Sequence, residues 1–125
     1  RGVGTEDGDD SGITISFSEA RRQRLDIPVT FDRRELDQIL RVYGFMVAAG
    51  EWRDYAIDHL SDRAVFSVYR RTSEVPMFRI VKQPRLRMKQ GAYSVVAATG
   101  AILKRGHELA RVLGVFDKQL RLVKA

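Results

Sequence analysis

Between Val75 and His107 the chain carries seven cations and no acid: Arg79, Lys82, Arg85, Arg87, Lys89, Lys104 and Arg105. Segregation of this kind builds a local positive field and favours an anionic partner. Lys82, Arg85, Arg87 and Lys89 fall in one short stretch, and Lys104 and Arg105 in a second. If the first stretch is extended, Arg85, Arg87 and Lys89 alternate onto one side. Tyr93, Tyr69 and Phe78 flank it as stacking surfaces for bases, although phenylalanine is more often core. Six phosphate contacts from Lys82, Arg85, Arg87, Lys89, Lys104 and Arg105 give a log–log salt slope of about −5 on duplex DNA, at roughly −0.9 per phosphate. A second arrangement uses Thr99-Gly100 and Lys104-Arg105-Gly106-His107. A helix starting near Gly106 would set free backbone amides beside Lys104 and Arg105, a combination that binds anions. The spacing is not that of a P-loop, and turn glycines account for it more simply.

Other chemistries are poorly supplied. The acids Glu51, Asp54, Asp58 and Asp62 surround His59. On a strand Asp54 and Asp58 share a face but lie about 13 Å apart, at roughly 3.3 Å per residue, too far to hold one metal ion or share a proton. They read instead as solvent-facing acids paired across strands with Arg70 and Arg79. His59 and His107 are the two histidines, with no HExxH spacing. Ser94, Thr99 and Glu108 are companions for His107 in sequence only, and no G-x-S-x-G elbow is present. No catalytic residue, metal ligand or cofactor is assigned.

The bulk numbers are those of one domain. The chain has 125 residues, 44% hydrophobic and 30% charged, with a net charge of +6. Residues 1–12 carry −3 of that and the remaining 113 carry +9. Arginines outnumber lysines 17 to 5, and arginine binds phosphate and carboxylate in bidentate fashion. The absence of cysteine excludes disulfides, thiolate catalysis and cysteine-based zinc sites. No apolar run approaches the roughly 18 residues of a membrane span, and no apolar leader is visible, so a cytoplasmic protein is expected.

Residues 1–12, rich in Gly and Asp, predict a disordered acidic tail, and 13–125 a single α+β domain. Ile13, Ile15 and Phe17 alternate as a strand, and Ile27 to Phe31 reads as a second. Asp32 and Glu35 have capping-box spacing and open a helix over 33–49. Leu36, Ile39, Leu40, Tyr43 and Val47 form its apolar face, Arg34, Gln38 and Arg41 point away, and Gly50 stops it. A three-strand meander follows over 53–82: Arg53 to Leu60, Ala64 to Arg71 and Met77 to Lys82. Pro84 to Gly91 is a basic loop and Tyr93 to Ala98 a strand. Ala101 to Lys104 extends a hairpin or opens the last helix, about 106–116. Leu120 to Val123 reads as a closing strand. The predicted architecture is an antiparallel sheet packed with two helices.

Three stretches carry a family likeness: Phe31-Asp32-Arg33-Arg34-Glu35-Leu36, the run Val47 to Asp58, and Ser94 to Gly100 followed by Leu103-Lys104-Arg105-Gly106-His107. Together they resemble a small alphaproteobacterial domain family of unknown function, over about Ile27 to Val123. The resemblance implies a bacterial, cytoplasmic protein and carries over no activity and no site residue. Three readings therefore stand in order. The first is a nucleic-acid or other polyanion-binding domain. The second is a protein-interaction domain, with an acidic partner or a second copy of itself. The third is an enzyme on a small anionic substrate.

Overall fold

The structure is a computed structural model, and it describes residues 27–71 and 75–117. The expected tail over 1–12, the strand at Ile13 to Phe17 and the strand at Leu120 to Val123 lie outside these residues. Among the described residues the fold is α+β, with a five-stranded antiparallel sheet and two helices. Helix α1 spans Arg33–Ala48. The strands are β1 (Asp54–His59), β2 (Ala64–Tyr69), β3 (Phe78–Lys82), β4 (Tyr93–Ala97) and β5 (Ile102–Gly106). Helix α2 spans Leu109–Leu113. The strands lie in chain order, a pure meander.

Each strand pairs antiparallel with its neighbours in the sequence. Phe66 sits opposite Ile57 on one side and Ile80 on the other, and Ile80 sits opposite Val95. Side chains on directly opposed residues share a face. This row is buried under α1 and α2 with Ile39, Met46, Trp52, Val112 and Phe116. Aromatic rings fill the space between layers. Trp52 meets Phe116 edge-on at 4.9 Å, and Tyr55 stacks on Phe66 at 4.8 Å.

Several expectations change in detail. Helix α1 buries Glu35, Ile39 and Met46, while Leu40 and Val47 are exposed. The buried stripe is rotated from the predicted face because the helix leans on the sheet through Met46 rather than Val47. Gln38, expected to face solvent, is half-buried, and it lines a groove that also includes Leu113 of α2. Residues 27–31 form no strand. They are tied to the sheet by bonds from Val29 N to Leu60 O (2.8 Å) and from Lys82 Nζ to Thr30 O (2.8 Å), with Phe31 inserted in the core. The stretch after Gly100 is strand, not helix, because it closes a hairpin on β4. Helix α2 starts only at Leu109 and breaks at Gly114, and residues 115–117 are helical again. Asp54 faces Tyr69 and Asp58 faces Val65, so neither sits opposite Arg70 or Arg79. No helix among the described residues is long and apolar enough to cross a membrane.

Candidate anion-binding site

The basic loop is built as a tight turn, not an extended strip. Pro84–Leu86 forms a 3-10 helix. Proline at its start supplies the fixed φ that such a turn needs. Leu86 N donates to Gln83 O (3.0 Å) and Arg87 N to Pro84 O (3.0 Å). The Leu86 carbonyl then accepts from Lys89 N, Gln90 N and Gly91 N at 3.0, 3.1 and 2.9 Å. A helical turn removes the predicted alternation, so Arg85, Arg87 and Lys89 fan out around the loop. All three are exposed, and none forms a salt bridge with a described acid.

Two glycines set the loop against β5. Gly91 has φ +105° and is buried. It lies so close to Gly106 that a Cβ there would stand 2.3 Å from the Gly106 carbonyl carbon. This contact, and the pairing of Tyr93 with Gly106, brings the two basic stretches together. Arg105 Nη1 donates to Gln90 Oε1 across the junction. Arg105 Nε is buried without a partner.

The six expected cations do not form one patch. Arg105 sits opposite Ser94, on the sheet face away from the helices, while Lys104 sits opposite Val95 on the helix-bearing face. Lys104 lines a depression there with His107 and Arg111. Gly106 belongs to β5 and α2 starts at Leu109, later than expected, while Lys104 and Arg105 both line the depression that includes Glu108, the residue capping this helix. Glu108, the acid expected beside His107, is held by Arg111 at 2.9 Å. Of the expected stacking rings, Phe78 packs against Trp52 and Phe116, and the Tyr93 hydroxyl is occupied.

Lys82 has another employment. Its Nζ donates to Glu35 Oε1 (2.7 Å) and to the Thr30 carbonyl (2.8 Å). Glu35 is 6% exposed. Its carboxylate also accepts from Asp32 N (2.8 Å), completing the capping box, and from the Tyr93 hydroxyl. Asp32 Oδ1 in turn accepts from Glu35 N (2.8 Å). One carboxylate therefore clamps the start of α1 to the ends of β3 and β4, at the root of the basic loop. The sequence signal for Glu35 was its capping position; nothing local announced its burial or its partner 47 residues away.

Burial and the adjacent Glu35 carboxylate hold the Tyr93 phenol well above its ordinary value of 10.0, while Arg87 pulls weakly the other way. The folded state thus keeps this proton more firmly than the unfolded chain does. The resulting stability is full below pH 10.0 and is lost as pH rises toward the raised folded pKa. Urea midpoints taken from about pH 8 to about pH 11 are expected to fall at the alkaline end, and Tyr93→Phe to flatten that fall. An identical alkaline profile in both proteins contradicts the assignment. At the neighbouring turn, hydrogen bonds from Arg63 (Nη2 to Asp62 Oδ2, 3.0 Å) hold the Asp62 carboxyl below its usual range, and Arg85 adds to this.

Fold and site define a small α+β domain that displays a cationic, hydrogen-bonded loop at one end of an open meander sheet. The chain belongs to the family described as protein of unknown function (DUF2794), whose profile matches residues 29–113. No curated protein matches it. No solved structure does either.

Proposed function

We propose that the domain binds the phosphate backbone of nucleic acid through Arg85, Arg87 and Lys89, with Arg105 beside them and Lys104 reaching the same end from the other sheet face. The observation that carries this reading is the loop itself. Three exposed cations, without ion pairs to described acids, stand on a turn held by a shared carbonyl and by the Gly91–Gly106 contact. Pre-set geometry lowers the ordering cost of binding. Arginine adds bidentate contact with phosphate oxygens. Lys82 is not among the contacts in this reading, since it is committed to Glu35. The setting proposed is a bacterial cytoplasm, as the family likeness implies.

The test is fluorescence anisotropy with single- and double-stranded DNA and RNA at about 50 and about 200 mM salt. The five contacts of this reading give a log–log slope of about −4.5 on duplex DNA, at roughly −0.9 per phosphate. Replacing Arg85 and Arg87 together by alanine is expected to weaken binding and reduce the slope to about −3, two contacts fewer. A slope unchanged by the double substitution discards this loop as the contact surface.

A further inference from the structure

The opposite end of the sheet carries a second cationic site that does not depend on the loop. A pocket there is lined by Val47, Gly50, Trp52, Arg53, Arg70 and Arg71. Arg70 and Arg71 follow the last residue of β2, and Arg53 is tied to the same place by its N–H, which donates to the Tyr69 carbonyl at 2.8 Å. All three arginines are exposed, and none forms a salt bridge with a described acid. Arginine keeps its proton at any physiological pH, so their mutual repulsion is relieved by an anion and not by titration.

The C-terminus of α1 adjoins this pocket and would be the ordinary reason to gather cations. Three of its last carbonyls have backbone partners: Phe45 O accepts from Ala49 N, Val47 O from Gly50 N, and Met46 O from both Glu51 N and Trp52 N. The donors of the three arginines are therefore not needed to cap these carbonyls. Trp52 supplies an independent observation. It is 3% exposed, and its Nε1–H is buried without an acceptor. A buried donor without a partner is uncommon and costs stability unless a bound group or water completes it. Gly50, with φ +78° and open space where a Cβ would stand, leaves the pocket floor uncrowded.

We infer that Arg53, Arg70 and Arg71, with the Trp52 indole, form a binding site for a phosphate group. A tetrahedral dianion suits forked guanidinium donors. Because Trp52 is the chain's one tryptophan, its emission reports on this site alone.

Titration of the whole chain with inorganic phosphate, at ionic strength held constant with chloride, is expected to give a saturable change in Trp52 emission. Replacing Arg70 and Arg71 together by glutamine is expected to weaken the apparent affinity at least tenfold. Arg85→Ala/Arg87→Ala, at the other end of the sheet, is expected to leave it unchanged, which separates this site from the proposed nucleic-acid loop. Competition by an oligonucleotide lacking terminal phosphates, persisting in the loop variant, supports the site and assigns its phosphate to a nucleic-acid backbone. Lack of competition with saturation by free phosphate supports the site and assigns it to small phosphate compounds. An absent or non-saturating response, a matching response to chloride alone, or wild-type affinity in the Arg70/Arg71 variant overturns the inference.

Discussion

Replacing Glu35 by alanine is expected to destabilise the fold by about 4 kcal/mol, a typical cost of breaking a buried ion pair with a helix cap added. The carboxylate accepts three hydrogen bonds from three parts of the chain: Asp32 N, Lys82 Nζ and the Tyr93 hydroxyl. Alanine removes the acceptor and leaves a largely buried ammonium facing Thr30 alone, with side-chain exposure of 18%. The loss is dominated by that unpaired charge rather than by any attraction forgone. Two further variants test this account. Lys82→Met alone leaves the carboxylate with its two remaining donors and is expected to cost less, about 2 kcal/mol. Glu35→Leu with Lys82→Met removes both charges and is expected to recover part of the Glu35→Ala loss. Urea unfolding of the set supplies the measurement. A Glu35→Ala cost below about 1 kcal/mol, the range of an exposed pair, would show that the clamp contributes little.

The second large effect is at Gly91. Alanine there is expected to cost about 3 kcal/mol or more, from two sources of about 1–3 kcal/mol each. One is the positive φ of +105°, a conformation that a side chain disfavours. The other is steric. The new Cβ would stand 2.3 Å from the carbonyl carbon and oxygen of Gly106 and 2.8 Å from its Cα. Backbone cannot rotate aside as a flexible side chain can, so β4 and β5 must part near Tyr93 and Gly106. The consequence reaches the candidate site, because this contact brings Gln90 to Arg105. Hydrogen exchange in Gly91→Ala is expected to show early opening of β5 with β2 and β3 still protected. Gly100→Ala is the control: it shares a positive φ of +93° but has open space around it, so it carries strain without the clash. Equal costs at the two positions would refute the steric account.

Much of the fold was legible along the chain. The Asp32/Glu35 spacing marked the start of α1, and its side-chain bonds are present at 2.8 Å in both directions. The β-formers of Val65, Phe66, Val68 and Tyr69, set between polar turns, marked β2 and with it the meander. These signals are local: a cap or a turn is decided by residues three or four positions apart. The helix face was harder to read. Apolar residues occupy more than half the turn around α1, so periodicity alone did not separate Met46, which is buried, from Val47 and Leu40, which are not.

The candidate sites divide in the same way. The sequence alone determined that Val75 to His107 holds seven cations and no acid and that no cysteine chemistry is available. Tertiary structure decided which of those cations are available. It withdrew Lys82 into the clamp with Glu35, placed Lys104 and Arg105 on opposite faces of β5, and curled Arg85 to Lys89 into a turn. It also gathered Arg53, Arg70 and Arg71 at one strand end, beside a tryptophan whose N–H lacks an acceptor. The physical reason is range. Charge along the sequence sets the field, but the state of each charge depends on burial and on partners brought near by strand register, such as Glu35 to Lys82, 47 positions apart.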